Sequence, residues 1–236
     1  VVGLFAVLPV AALFLSASRG GIVSFCVQIL LLGYVLLRSR GLRKRLLAAV
    51  VVLLAAFLMV SWLGVGQILQ RFSSLQKLEV SEAKRVAMAK GSWRIFVDHP
   101  LAGTGLGTLQ IVYPPYETLY DGKIVNHSHN DYLEAVAETG VLGGFCCAWF
   151  LVVLLRKSFA RVRQRDYSFS DALQFSGTVA CAGLLVHSFV DYNLHIPSNA
   201  LLFFLMAHLA TADMHQVTPR STSSAPQPVE QRLESA

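Results

Sequence analysis

The chain has 236 residues, 54% hydrophobic and 14% charged, with mean hydropathy +0.54 and a formal charge of +6. Soluble domains carry about 25% charged residues, so this balance excludes an ordinary soluble enzyme and describes an integral membrane protein. The basic residues sit in short blocks between apolar runs, which argues against nucleic acid as a partner.

Six apolar runs are expected to cross the bilayer: 1–15, 22–37, 46–63, 141–155, 173–190 and 200–212. A spanning helix needs about 20 residues, so several runs must borrow flanking positions. The fourth extends back through 132–139, with Gly140 as a kink or break. The chain opens inside the first run with neither a charged leader nor a small-residue cleavage site. That is the pattern expected of the C-terminal piece of a longer protein rather than of a signal peptide. Cys26, Cys146, Cys147 and Cys181 all fall in apolar runs without zinc-type spacing and are expected to pack as small hydrophobes.

Orientation follows from the short loops. Residues 38–45 (RSRGLRKR) hold five basic side chains and no acid, and 156–165 (RKSFARVRQR) hold five more and no acid. Such loops stay cytoplasmic. The expected organisation is therefore an all-α polytopic membrane protein. Three transmembrane helices lie in 1–63, a partly helical outer loop in 64–131, three more helices in 132–214, and a disordered cytoplasmic tail in 215–236.

Within the outer loop, 81–98 has a helix-forming composition with apolar residues at Val86, Ala89, Trp93 and Phe96, and His99-Pro100 ends it. Gly103-Thr104-Gly105-Leu106-Gly107 follows. No strand precedes it, so a dinucleotide fingerprint fails on context. A structural turn or a phosphate cradle of backbone amides remains.

Three polar groups emerge on the outer face. Arg19 lies between the first two spans, either snorkelling to headgroups or clamping a phosphate or pyrophosphate. Asn126-His127-Ser128-His129-Asn130-Asp131-Tyr132-Leu133-Glu134 sits where the loop enters the fourth span. A single histidine there suits a general base. A metal site would need both histidines and a third ligand from Asp131, Asp191 or His195, and no metal or other cofactor is expected. Asn130 and Asp131 also fit a helix N-cap. The third group ends the fifth span, where Asp191 is either a partner for an outer His or Arg or a solvated acid, and Pro197 starts the sixth helix.

The order of these groups is familiar. Ser18-Arg19-Gly20, then Arg85 ahead of His99-Pro100-Leu101-Ala102-Gly103-Thr104-Gly105, then His129-Asn130 running into Glu138-Thr139-Gly140-Val141-Leu142-Gly143, and finally Asp191 to Pro197 resemble the O-antigen ligase and polymerase superfamily. The resemblance extends over about 13–209. It implies a bacterial inner-membrane glycosyltransferase, active on its periplasmic face among membrane lipids. Such an enzyme moves a glycan from undecaprenyl pyrophosphate to a hydroxyl of the lipid A core, a growing polysaccharide or a protein. It further implies His129 as the base, with Arg19 and Arg85 holding the pyrophosphate. Arg94, His127, Asn130, Asp191 and His195 are the candidate substrate contacts. Members commonly have a tryptophan four residues after the loop arginine, where this chain has Ala89 with Trp93 one turn further on. From another class, the chain could be a transporter or a non-catalytic membrane scaffold, since polar residues at helix ends also mark substrate pathways, but transporters usually place their charges near the bilayer midplane.

Overall fold

A computed structural model of the protein describes residues 2–16, 18–37, 50, 75–163 and 169–212. The expected third span at 46–63, the basic loop at 38–45 and the tail at 215–236 fall almost wholly outside the described residues. Among the described residues all regular structure is helical: α1 (Val2–Leu15), α2 (Arg19–Leu37), α3 (Leu75–Asp98), the single turn α4 (Leu109–Val112), α5 (Asp131–Arg163), α6 (Phe169–His187) and α7 (Pro197–Thr211).

Two stretches, Asp131–Ala160 of α5 and α6, are long and apolar enough to cross a membrane. At about 1.5 Å per residue, the 19 residues of α6 match a hydrocarbon core of about 30 Å. Gly20–Gly33 of α2 and the whole of α7 are apolar but shorter. The outward faces of these helices carry bare apolar side chains, with Phe145 66%, Trp149 64% and Leu201 72% exposed. Aligned patches of this kind are tolerated where the surrounding solvent is lipid.

Inside the bundle, α6 packs on α2 and α7 through small residues and a few polar links. Gly183 lies against Gln28, and Gly177 lies against the backbone of Met206 and Ala210. Gln174 donates to the Ala212 carbonyl at 2.8 Å. Small residues let helix backbones approach where no hydrophobic force separates protein from lipid. Leu154, Cys181, Leu185, Phe203 and Ala207 form the core here, and Cys181 is buried and unpaired.

A second core of Met88, Ile95, Leu109, Tyr113, Val125 and Ala137 holds α3, α4 and the first turns of α5 together. It corrects the expected face of α3. Val86 and Trp93 are more than half exposed, whereas Met88, Ser92 and Ile95 are buried. The buried stripe runs Met88, Ser92, Ile95, with the exposed Arg85 at its head, shifted by about one residue from the expected one. It is selected by the Tyr113 ring, which lies against Gly91 on that side.

Gly140 interrupts α5 with φ 64 and ψ −162. The segment after α3 threads into the break: Val141 N–H reaches the Pro100 carbonyl at 2.8 Å, and Gly105 N–H reaches the Glu138 carbonyl at 2.8 Å. A Cβ on Gly140 would collide with the Leu101 backbone, and one on Gly103 with the Glu138 backbone. Gly140→Ala is expected to cost about 1–3 kcal/mol in backbone strain alone, with the Leu101 collision in addition. A thermal melt of the detergent-solubilised protein should show a Tm several degrees below wild type, and an unchanged Tm would mean the clasp is dispensable.

Candidate functional site

The first turns of α5 carry three acids, Asp131, Glu134 and Glu138, spaced so that they lie on one helical face. Asp131 is 3% exposed, and the two glutamates are each 1% exposed. Burying a carboxylate is costly unless it is paired and hydrogen-bonded, so each must draw a partner to the helix. The three acids collect three different loops.

Glu138 takes the glycine-rich turn. Its Oε2 accepts from Gly107 N–H at 2.9 Å and its Oε1 from Leu109 N–H at 3.0 Å. The anion in this amide cradle is therefore the protein's own carboxylate, which overturns a phosphate cradle at these amides and leaves the structural turn.

Glu134 takes the histidine loop. Its Oε2 accepts from Ser128 N–H at 2.7 Å, and its Oε1 lies 2.7 Å from His127 Nδ1. Asp131 takes the segment after α6, accepting from Leu194 N–H at 3.0 Å and pairing with His195 Nδ1 at 2.8 Å. The N-cap role falls to Asn130, whose Oδ1 accepts from Tyr132 N–H at 3.1 Å and Leu133 N–H at 3.0 Å while its amide donates to the Phe189 carbonyl. Asp131 is thus not the cap expected from its position, and both ends of the Asn130 side chain are engaged within the protein.

His129 adopts a left-handed backbone with φ 53, uncommon outside glycine and met mostly by asparagine, aspartate and histidine. That turn parts the two histidines. His127 goes to Glu134, and His129 Nδ1 lies 3.2 Å from Asp191 Oδ1. The His129 hydrogen bond, helped by Tyr192 N–H, holds the Asp191 carboxyl below its ordinary value against the upward push of burial. An ionised carboxylate only accepts, so His129 donates from Nδ1, and its Nε2 takes no part in that bond. The other oxygen of Asp191 lies 3.8 Å from His187 Nε2. Asp191 is therefore a partner of His129 rather than a solvated acid. Tyr192 separates the two histidines, its ring stacked on His127 at 4.5 Å and edge-on to His129 at 5.0 Å.

A cavity of about 380 Å³ opens at this point, lined by Lys84, Arg85, Lys123, His127, His129 and Tyr192 among others. Lys84 is tied to Asp121 at 2.5 Å. Arg85 reaches the cavity because it heads the same stripe of α3 as Met88, Ser92 and Ile95. Arg94 does not line it. Nine residues at about 100° each put it half a turn away, exposed on the opposite side of α3. Arg19 is the first residue of α2. Its side chain lies outside the described residues, but the next residue, Gly20, packs against His187 and Val190, which brings this turn to the level of Asp191.

His195 lies behind the site and not in the cavity. Besides Asp131, its Nε2 is 3.4 Å from Glu134 Oε1, so His195 when protonated bridges two buried carboxylates. The Asp131 hydrogen bond, joined by the charge of Glu134, raises its pKa above the ordinary 6.5 despite desolvation. The folded state binds this proton more tightly than the unfolded state. Its contribution to stability is complete below about 6.5 and fades as pH rises through the higher folded value. A histidine NMR titration should place the His195 midpoint above 6.5, and Asp131→Asn should bring it down. A midpoint at or below 6.5 in the wild type would contradict the bridge.

His127, Glu134 and His195 are the residues that could hold a metal, their ligand atoms lying within 4.8 Å of one another. Two ligands about 2.0 Å from a tetrahedral zinc stand about 3.3 Å apart. His127 and Glu134 are closer than that, at 2.7 Å, so the set as it stands is a hydrogen-bonded one. His129, which the sequence pairs with His127, takes no part in it.

Sequence reasoning missed Glu134 and Asp131 as organisers of the histidines. The available signal was the spacing of Asp131, Glu134 and Glu138, three acids on one face of a helix that continues into the membrane.

A family model described as O-antigen ligase matches residues 4–148, more than half of the chain. The match includes Arg19, Arg85, Arg94, His127 and His129 and stops short of Asp191, Tyr192 and His195. No curated protein and no solved structure matches.

Proposed function

The chain belongs to the O-antigen ligase family, and from this we propose that it is a bacterial inner-membrane glycosyltransferase acting on the periplasmic face. Its donor is a glycan on undecaprenyl pyrophosphate, and its acceptor is a hydroxyl of the lipid A core, a growing polysaccharide or a protein. The observation that carries this reading is the meeting of a carboxylate-backed base, His129 with Asp191, and a cation, Arg85, at one cavity.

Asp191 accepts a hydrogen bond from Nδ1–H and fixes the ring, so Nε2 takes the proton of the acceptor hydroxyl. The freed oxygen attacks the anomeric carbon. The bond from that carbon to the pyrophosphate oxygen breaks, and its electron pair leaves with the pyrophosphate. Arg85, with Lys123 on the same cavity wall and Arg19 at the head of α2, stabilises the charge that develops there. A single displacement inverts the anomeric configuration. Every group this step draws on is a side chain of the protein.

The test is transfer by the full-length protein in lipid nanodiscs, supplied with an undecaprenyl-pyrophosphate glycan and each acceptor class in turn. Formation of a glycosylated acceptor supports the reading, and no transfer to any acceptor overturns it. Glycolipids of a deletion strain identify the acceptor: loss of polymer on the lipid A core marks a ligase, and single-repeat glycans mark a polymerase.

A further inference from the structure

The cavity holds a second imidazole–carboxylate pair that the proposed displacement does not use. His127 Nδ1 lies 2.7 Å from Glu134, closer than His129 lies to Asp191 at 3.2 Å. Glu134 is fixed as few side chains are: it is 1% exposed, its second oxygen receives the Ser128 amide at 2.7 Å, and His195 approaches its first at 3.4 Å. The face of the His127 ring is held by Tyr192. With Nδ1 engaged by Glu134, the remaining nitrogen of His127, a residue that lines the cavity, is Nε2.

Resting on the glycosyl-transfer reading, we infer that His127 is the general acid of the reaction, serving the leaving pyrophosphate while His129 serves the acceptor. A displacement of this kind removes a proton at one end and gains from supplying one at the other, and a single histidine meets only one of these needs. As an imidazolium, His127 donates from Nδ1 to Glu134 and from Nε2 into the cavity, and the buried Glu134 carboxylate offsets its charge. The other charged groups around it are His195 and Asp131 behind Glu134, Asp191 beside Tyr192, Lys84 and Arg85 from α3, and Asp121 and Lys123 from the loop.

The protons balance. The acceptor proton passes to His129 Nε2 as the new bond to the anomeric carbon forms. The bond to the pyrophosphate oxygen breaks, its electron pair stays on that oxygen, and the oxygen takes the Nε2 proton of His127. His129 then returns one proton to water and His127 recovers one, so a turnover consumes none.

The experiment uses the full-length protein in nanodiscs with the undecaprenyl-pyrophosphate glycan and the acceptor that the wild type glycosylates. His127→Ala is expected to lower kcat by about 10²-fold, the lower end for a positioned acid because pyrophosphate already departs as a stabilised anion. Donor KM should stay near the wild-type value, as for a group that acts only in the transition state. Added imidazole should restore part of kcat in proportion to its protonated fraction, which a packing role would not produce. If His127→Ala fails to insert, His127→Gln, which keeps a donor for Glu134, is read in its place against the same kcat and KM criteria. An unchanged kcat, or a raised donor KM with no rescue by imidazole, overturns the acid role while leaving the glycosyltransferase reading intact. Absence of transfer by the wild type overturns both.

Discussion

Replacing His129 is expected to lower glycan transfer by about 10²–10⁴-fold, the range for a positioned general base, while membrane insertion is retained. The ring is one-third exposed, and its polar link within the protein is the Asp191 hydrogen bond, so little of the fold depends on it. The choice of variant matters because His129 sits at φ 53. Alanine there would add backbone strain to the loss of the imidazole. Asparagine tolerates the left-handed region, so His129→Asn isolates the chemistry. Asp191→Asn should act in the same direction and more weakly, since the base remains but is no longer fixed in ring orientation and tautomer. The check is the rate of formation of glycosylated acceptor at equal amounts of inserted protein. Undiminished transfer by His129→Asn would remove His129 from the mechanism.

Arg85→Ala is expected to lower transfer by about 10²–10³-fold, as for loss of one group aimed at developing negative charge. Arg85→Lys should recover part of it, because the charge returns without the planar fork that fits phosphate oxygens. Arg85 is exposed at the head of a stripe whose structural contacts come from Met88, Ser92 and Ile95, so its removal should leave α3 folded. Arg94→Ala is the internal control. It removes the same charge from the same helix half a turn away and should change transfer little. Equal losses in Arg85→Ala and Arg94→Ala, measured with one donor preparation, would show that general surface charge and not a clamp is at work.

The membrane class of the protein was legible because hydropathy is a local property: long apolar runs with few charges have few other uses. Local chemistry likewise marked the end of α3 at His99-Pro100, the break at Gly140 and the start of α7 at Pro197. The buried side of α3 was not legible. Val86 and Trp93 are apolar and regularly spaced, but Tyr113 arrives against Gly91 and the stripe on that side is the one covered. The candidate site was legible as a set of residue types and not as an arrangement. The fold brings His127, His129, Asp191 and His195 together, but each histidine takes a different partner.

What the sequence determined by itself was therefore the solvent the chain lives in, most helix ends, and the neighbourhood of the site around His129. Only the tertiary structure decided which acid serves which histidine. Asp191 meets His129 from 62 residues away, and Asp131 meets His195 from 64. The left-handed turn at His129 sends two near-neighbour imidazoles to different carboxylates. The physical reason is the cost of a buried charge. Asp131, Glu134 and Glu138 must each find a partner, those partners lie on three loops, and folding alone brings the loops to one face of α5.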